Sequence, residues 1–239
     1  MTTVAVFKWA MDPHDERVGA DDAIKWIADR PEVGDDDHAA VQVALDADQS
    51  GRVVGLTMAS GDVAFGVARG AHETVALEGV PITAQQSEIA SALASAIQGI
   101  DDVSVVAIGD CAWQPMVPAL LAGKLGWPCI CAVDAVKREN DALIVTRRLG
   151  AGTQDIAVDG NVVLAVAARR EEESKPGMKA VLQARKKPVE KVDACTDAST
   201  FDVTGSHDPA ARASKIYDGS DPQTAVDQLI AALKAEGVL

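Results

Sequence analysis

The residues with the most chemical potential lie in the segment Gly109-Asp110-Cys111-Ala112-Trp113-Gln114-Pro115, which follows a buried-strand pattern and precedes a helix pattern. Backbone N–H groups at such a junction could hold a phosphate or a ribose. A thiol at a helix N-terminus also has a lowered pKa, which would activate Cys111. An ordinary connecting loop has a similar composition, so a ligand-binding loop and a plain connection both stay open. For Cys111 a structural role is the preferred interpretation.

The other reactive side chains form no recognisable catalytic or metal-binding motif. None of the four cysteines belongs to a CxxC pair, and a CxC in a chain with only four histidines is a poor zinc signal. We therefore predict structural thiols in a reducing cytoplasm at Cys111, Cys129, Cys131 and Cys195. The histidines are scattered over loops and helix starts, where we expect them to be solvated (His14, His38, His72 and His207).

Three consecutive acids, Asp35, Asp36 and Asp37, precede the first long helix pattern. Acids at a helix N-terminus complement its dipole, so we predict that they cap the helix and bind no metal. The sequence lacks GxGxxG, GxxxxGK[ST], GxSxG and HExxH motifs. Motif support is therefore absent for a dinucleotide-type Rossmann site, a P-loop NTPase, an α/β-hydrolase and a zincin protease.

Composition excludes further classes. The 239-residue chain has a formal net charge of −14 and only 3% aromatic residues, so neither electrostatic attraction nor base stacking favours nucleic acid. No apolar run reaches the roughly 18–20 residues of a membrane span, and the N-terminus lacks a secretion signal. With 48% hydrophobic residues the chain can form a core. We expect a cytoplasmic protein with no membrane span.

The elements that would position these residues alternate between strand and helix. Near-continuous apolar runs predict strands buried on both faces, at Val4–Phe7, Val53–Met58, Val103–Ile108 and Val162–Ala167, and more weakly at Thr74–Leu77 and Pro128–Val133. Helical patterns lie between them, at Asp37–Asp48, Asp62–Arg69 (with Ser60-Gly61 as a cap), Thr83–Ile97 and Met116–Lys124. This order predicts an α/β fold with a doubly wound, mostly parallel, nucleotide-binding type of sheet. Ligands of such sheets bind beyond the carboxyl ends of the strands, here after Phe7, Met58 and Ile108.

Two further segments complete the predicted architecture. An antiparallel insertion precedes the Val162 strand, from the alternating runs Ala132–Lys137, Ala142–Arg148 and Gln154–Val158. A domain over 1–192, with a short helix at Met178–Gln183, is followed by a polar arm over 193–239. The arm ends in a helix at Pro222–Glu236, capped by Asp221. Because an arm with an apolar-faced terminal helix buries little against its own domain, we expect it to lie on a partner.

Several motifs resemble the β subunit of electron transfer flavoproteins. They are Leu-Gly-Trp-Pro at 125–128, a charged hairpin ending TRRLGAGTQDIAV, and Ala-Arg-Lys-Lys-Pro-Val-Glu at 184–190. VAVFKWAMDP and GVARGAHETVAL resemble further elements of that family. The resemblance implies an electron carrier without catalytic residues, paired with an α subunit that carries most of one FAD. It also implies AMP, or a second FAD in the bifurcating branch, on the β subunit.

The resemblance also implies site residues. Loops after three strands would line the nucleotide site, with the candidates Val6, Lys8, Ala10, Met58, Ser60, Gly61, Gly109, Asp110, Cys111 and Gln114. A recognition loop at about 169–187 would dock an acyl-CoA dehydrogenase or another flavin dehydrogenase. Its anchoring Leu falls on Met178, with Val181 and Leu182 beside it and Arg185, Lys186 and Lys187 steering the partner. The acidic run Glu171-Glu172-Glu173 would alter partner choice.

The nucleotide loops depart from the family pattern. A Gln-Thr pair of the family falls on Met116-Val117, its Asn-Pro-Phe-Asp-Glu is replaced by residues 30–38, and its Gly-Pro by Ala59-Ser60-Gly61. AMP, a second FAD or nothing therefore remain open as occupants of the nucleotide site. Two alternative functions also remain open, namely a stand-alone adenine-nucleotide-binding protein of this fold and a paralogue that has lost AMP.

Overall fold

The structure, a computed structural model, describes the chain except for residues 29, 35, 50, 59–60, 82–83, 111–112, 141, 168–174, 196–203 and 208–213. Within the described residues the strands are β1 (Thr2–Phe7), β2 (Trp9–Ala10), β3 (Glu16–Val18), β4 (Ile24–Trp26), β5 (Glu32–Val33), β6 (Val53–Met58), β7 (Glu73–Glu78), β8 (Val103–Gly109), β9 (Cys129–Glu139), β10 (Ala142–Leu149), β11 (Gly152–Val158), β12 (Val162–Val166) and β13 (Val189–Asp193). The helices are α1 (Asp37–Ala47), α2 (Phe65–Ala68), α3 (Gln86–Gln98), α4 (Val117–Leu125), α5 (Met178–Ala184) and α6 (Pro222–Ala235), with one 3-10 turn at Pro13–Asp15.

A nine-stranded sheet of order β11-β10-β9-β12-β8-β1-β6-β7-β13 forms the centre of the molecule. Every residue of β1, β6 and β12 is buried, as their near-continuous apolar sequences predict for strands covered on both faces. Strands β9, β12, β8, β1, β6, β7 and β13 run parallel, whereas β9, β10 and β11 form an antiparallel meander. The doubly wound α/β prediction and the antiparallel insertion are both confirmed.

The two faces of the sheet carry separate apolar clusters. On one face α3 and α4 pack through Ile89, Leu93 and Leu121 against the sheet. On the other face α1 packs through Val41 and Ala44, and this cluster extends under the meander. Alternating strand side chains supply both clusters, because successive residues of a strand point to opposite faces.

Several helices begin later than the sequence patterns predict. Helix α3 begins at Gln86 and not at Thr83, because the Glu88 carboxylate accepts a hydrogen bond from the Gln85 N–H at 2.8 Å and fixes the helix start there. Helix α2 begins at Phe65 and not at Asp62, since the Asp62 carboxylate accepts a hydrogen bond from the Ala64 N–H and holds a turn there. The predicted cap at Ser60 and the first predicted residue of α3, Thr83, lie outside the described residues.

Two strand predictions were incomplete. The segments Pro128–Val133 and Ala132–Lys137 are one long strand, β9, which is parallel to β12 in its first half and antiparallel to β10 in its second. Strand β13 follows the basic cluster and pairs in parallel with β7. The sequence pattern did not predict this strand, because its residues alternate with charged side chains and an edge strand needs little apolar surface.

The terminal helix α6 forms as predicted. Asp221 accepts a hydrogen bond from the Gln223 N–H at 3.2 Å, and Pro222 occupies the first turn. No residue of α6 is buried. The division at 192 into a domain and an arm remains a prediction.

No helix in the described part of the chain combines the length and the apolar character that crossing a membrane requires.

Candidate functional site

The reversal of strand order places the candidate site at the carboxyl ends of β1 and β8. Strand β1 has β6 on one side and β8 on the other, so the connections after these strands leave in opposite directions. Such a reversal opens a crevice where ligands of this fold class bind. Lys8 follows β1, Asp110 follows β8, and the start of α1 lies beside both.

A buried ion pair between Lys8 and Asp37 occupies this crevice. Asp37 Oδ2 accepts hydrogen bonds from the backbone N–H groups of Lys8 at 2.7 Å and Gly34 at 3.2 Å. The Lys8 ammonium lies 3.7 Å from Asp37 Oδ1, and the two side chains are 3% and 0% exposed. The pair ties the end of β1 to the start of α1 across 29 residues of sequence.

The electrostatics of Asp37 are dominated by its burial. Loss of water raises the pKa of Asp37, while the charge of Lys8 and the two backbone N–H groups oppose this effect. Asp37 Oδ1 is buried and has no hydrogen-bond partner among the described residues. The charge of Lys8 is therefore the main compensation for that oxygen.

This arrangement corrects the capping prediction for the acids before α1. Asp36, at the N-cap of α1, makes no side-chain capping hydrogen bond, and the Asp37 carboxylate binds the amides of Lys8 and Gly34. The third acid, Asp35, lies outside the described residues.

Gly109, at the end of β8, lies against the Asp37 carboxylate in the crevice. A Cβ atom there would lie 2.4 Å from Asp37 Oδ1 and 3.2 Å from the Asp37 backbone nitrogen. Real Cβ atoms do not approach another atom to 2.4 Å, so any larger residue at 109 would displace the Asp37 carboxylate or the strand end. Lys8 Nζ donates to the Gly109 carbonyl at 3.5 Å, which joins the ends of β1 and β8.

An aromatic cluster covers the β6 side of the site. The Trp9 ring packs against Gly61, where an added Cβ would lie 1.9 Å from Trp9 Cδ2. Trp9 also meets Phe65 edge to face, with ring centroids 6.3 Å apart. Trp9 Nε1 is buried with no hydrogen-bond partner in the described part of the chain.

Asp110 connects the site to the meander. Its backbone N–H donates to the Val166 carbonyl at 2.7 Å, and its Oδ2 accepts from the Ala132 N–H at 3.2 Å. Ala132 has a φ of 57° and lies in a bulge of β9. The bulge turns an otherwise paired N–H toward the carboxylate.

The predicted nucleotide-site residues fall into three groups. The side chains of Val6, Ala10 and Met58 are buried in the apolar interior, so only their backbone atoms could reach a ligand. Four residues line the crevice or its rim, namely Lys8, Gly61, Gly109 and Asp110. Gln114 is half-buried before α4, and its Oε1 has no hydrogen-bond partner among the described residues. Ser60 and Cys111 lie outside the described residues.

Sequence reasoning missed Asp37 and Trp9 as parts of this site. A lysine directly after an all-apolar strand was the available signal, because a buried cation requires a buried anion nearby. Only the first-turn position of Asp37 suggested where that anion comes from. For Trp9 we find no sequence signal beyond its place after β1.

The described residues at the start of α4 leave few free backbone N–H groups for a phosphate. The Met116 N–H donates to Gln86 Oε1 at 2.8 Å, and the Val117 N–H donates to the Gln114 carbonyl at 3.2 Å. Pro118, the next residue, has no N–H. Two of the amides at this helix end are thus engaged and one residue has none, and the nearby crevice contains the Asp37 carboxylate.

A second functional region lies on α5 and the basic cluster after it. Met178 and Leu182 are 74% and 53% exposed and lie one turn apart, whereas Ala184 is buried and Val181 is half-buried. They form an exposed apolar pair on one face of the helix. Residues 169–174 of the predicted recognition loop lie outside the described residues.

The basic cluster is partly engaged within the chain. Arg185 pairs with Asp62 at 2.8 Å, and this contact raises the pKa of Arg185. Lys187 donates to the His72 carbonyl at 3.2 Å, whereas Lys186 is exposed. The predicted steering role of these three residues remains a prediction.

The family model of the electron transfer flavoprotein domain matches residues 32–197. The chain belongs to the electron transfer flavoprotein family. The match covers more than half of the chain, including Asp37, Gly109 and α5, and it does not distinguish the subunit type. A search of the curated proteins finds no match. Membership makes the chain part of an electron-transfer system whose members are carriers and not enzymes.

Proposed function

We propose that this chain is the β subunit of an electron transfer flavoprotein. In this role it pairs with an α subunit, completes the FAD site at the subunit interface and docks an acyl-CoA dehydrogenase-like or other flavin dehydrogenase. The proposed location is the cytoplasm. FAD would supply the redox chemistry, and this chain would supply orientation and electrostatics.

The exposed apolar face of α6 is the observation that carries this proposal. Val226, Leu229 and Ile230 are 49%, 45% and 38% exposed, although the helix is 14 residues long. Most of the stability of such a helix in a protein comes from packing an apolar face against another element. A partner subunit seated on this face would provide that packing.

The pair Met178 and Leu182 on α5 supports the docking part of the proposal. Exposed apolar side chains at helical spacing are typical of groove recognition, and a flexible methionine adapts to pockets of different shape. Lys186 follows the same helix, is exposed and would attract an acidic partner surface.

The buried ion pair would act as a fixed support in this role. Lys8 and Asp37 lock the end of β1 against α1, while Lys8 also binds the Gly109 carbonyl. These contacts are buried and join the ends of β1 and β8. A rigid scaffold of this kind maintains the geometry of a subunit interface.

Co-expression with the α subunit tests the proposal through Leu229. The wild-type chain should co-purify with the α subunit as a yellow complex with a flavin absorbance spectrum, and Leu229→Asp should lose both. Ala231 lies on the opposite side of α6, so Ala231→Asp introduces the same charge and should retain the complex. A colourless monomer from wild type, or equal loss in both variants, contradicts the proposal.

The engaged amides at the start of α4 favour one variant of this function, a β subunit that has lost AMP. Acid extraction of the purified complex should then release FAD without AMP, and titration calorimetry should detect no AMP binding. Stoichiometric AMP in the extract would contradict this variant and leave the heterodimer proposal intact. ATP binding by a stable, colourless monomer would instead favour a stand-alone nucleotide-binding protein.

A further inference from the structure

Two cysteines at the start of β9 place their sulfur atoms close together. Cys129 Sγ and Cys131 Sγ are 3.9 Å apart, and both thiols are free. Cys129 is half-buried, whereas Cys131 is exposed to solvent. The prediction of structural thiols therefore does not describe Cys131, which packs little and is accessible to reagents.

The strand geometry explains why the two thiols meet. Residues two apart in a strand point to the same face. Strand β9 pairs in parallel with β12. Cys129 lies opposite Val163 and Ile130 opposite Leu164, and the register then shifts before Val133 pairs with Val166. Cys131 and Ala132 together lie opposite one residue of β12, so Cys131 belongs to the bulge, an irregular and adaptable part of the strand.

We propose that Cys129 and Cys131 are a redox modification site that forms a reversible intramolecular disulfide by exchange with a small oxidised disulfide. In the first step the Cys131 thiolate attacks the small disulfide, a mixed disulfide forms and one small thiol leaves. In the second step Cys129 attacks Cys131 Sγ, the mixed bond breaks and the second small thiol leaves. The two cysteines lose two electrons and two protons, which reduce one small disulfide to two thiols.

The environments of the two thiols assign these roles. Exposure makes Cys131 the attacking group. Burial, followed by the charge and hydrogen bond of Cys131 and the charge of Asp110, raises the pKa of Cys129 to about 12. Once Cys131 is in a mixed disulfide its contribution disappears, but the burial remains. The second step therefore needs deprotonation of Cys129, and its rate rises with pH because the thiolate is the nucleophile.

The backbone spacing makes the bond readily reversible. Residues two apart in a strand have Cα atoms about 6.6 Å apart, near the upper end of the range that disulfides span. A bond at this limit is more easily reduced than an unstrained one. The site is thus suited to reversible modification and not to permanent cross-linking.

Oxidation at this position also affects the candidate site. Ala132 follows Cys131 directly, and its N–H donates to Asp110 Oδ2 at 3.2 Å. Drawing the two sulfurs together from 3.9 Å would move this part of β9. A change in the oxidation state of the two thiols would therefore change the position of Asp110 through this hydrogen bond.

Peptide mapping tests the proposal on the full chain, independently of the proposed function. Trypsin releases Cys129 and Cys131 together in the peptide 125–137, while Cys111 falls in 70–124 and Cys195 in 192–212. The folded protein is treated with oxidised glutathione, remaining thiols are blocked, and the digest is analysed by mass spectrometry. The peptide 125–137 should lose two hydrogens, and dithiothreitol should restore them.

Serine variants separate this site from the other thiols. Cys131→Ser should abolish the loss of hydrogens, Cys129→Ser should stop at the glutathione adduct on Cys131, and Cys195→Ser should behave like wild type. With wild type the adduct should precede the disulfide and convert faster as pH rises. The proposal is overturned if the adduct persists without closing, if 125–137 instead links to a peptide containing Cys111 or Cys195, or if both thiols stay reduced.

Discussion

The Asp37 carboxylate makes two contacts with Lys8. Its Oδ2 accepts a hydrogen bond from the Lys8 backbone N–H at 2.7 Å, and its Oδ1 lies 3.7 Å from the Lys8 ammonium. The carboxylate belongs to the first turn of α1, and the lysine directly follows β1. A helix start and a strand end are thereby joined at the point where the strand order of the sheet reverses. Because both side chains are buried, neither charge can be removed without leaving the other uncompensated.

Removal of the Asp37 carboxylate should therefore be strongly destabilising. Asp37→Ala leaves a buried ammonium and two backbone N–H groups without an acceptor, and we expect a loss of about 3–5 kcal/mol in the free energy of unfolding. Adding Lys8→Met to Asp37→Ala should cost less than the sum of the two single changes, because the double variant leaves no isolated charge. Urea denaturation followed by circular dichroism measures all three variants.

An exposed ion pair provides the control for this measurement. Lys191 and Glu78 lie 2.6 Å apart with side chains 64% and 42% exposed. Lys191→Met should leave the urea midpoint unchanged within error, since water already screens this pair. Strictly additive effects of the Lys8 and Asp37 changes would contradict the proposed coupling.

Substitution of Gly109 tests the close approach of β8 to the carboxylate. Gly109→Ala places a methyl group 2.4 Å from Asp37 Oδ1, so the carboxylate or the strand end must move. We expect a destabilisation of about 1–3 kcal/mol, as for other overpacked interiors. Thermal and urea unfolding report this loss.

Gly123 offers a matched change without a clash. It lies within α4, and a Cβ there would meet nothing within 4 Å. Gly123→Ala should stabilise the protein by about 0.5–1 kcal/mol, because alanine has less freedom to lose in the helix. If the two glycine variants showed the same sign, the crevice geometry would be wrong.

The role of α5 can be measured once the proposed α subunit complex is in hand. Met178→Asp should slow electron transfer to the dehydrogenase by raising the apparent KM for the carrier, with the fold and flavin content unchanged. Gln183 is exposed on a different face of α5, so Gln183→Asp should leave that KM near the wild-type value. An equal rise in both variants would indicate a general charge effect and no specific contact at Met178.

The cap of α6 should depend on pH. Hydrogen bonds from Thr224 and Gln223 lower the pKa of Asp221 below its usual 3.8. A lowered pKa in the fold means that the cap contributes fully above the unfolded value and is lost as pH falls through the folded value. At neutral pH Asp221→Ala should reduce the helical Cα chemical shifts of the first turn of α6.

The difference in Cα chemical shift between Asp221→Ala and wild type should shrink as pH falls below about 3.8. The wild-type carboxylate becomes protonated in that range and then caps no better than alanine. NMR chemical shifts of residues 222–226 follow both proteins through this range. A difference that stayed constant with pH would show that the carboxylate charge is not what caps the helix.

The strands that were predicted well are those that are buried along their length and mostly apolar. Val53–Met58 has the predicted bounds, and the predicted Val103–Ile108 extends by one residue. Every residue of Val53–Met58 is buried, so its composition alone reports a strand covered on both faces. Strand β13 was not predicted, because its stability comes from pairing with β7 and not from its own apolar content.

The sequence alone determined the family and the sheet type, and it predicted three loops as the place where a ligand could bind. Those features follow from local patterns, since apolar periodicity, turn residues and motif letters are properties of neighbouring residues. Only the tertiary structure decided that Lys8, Asp37 and Gly109 meet, that the Met116 amide is engaged by Gln86, and that Cys129 and Cys131 lie within reach of each other. Contacts between residues distant in sequence depend on how helices and strands pack, and burial then sets the energy of the charges that they bring together.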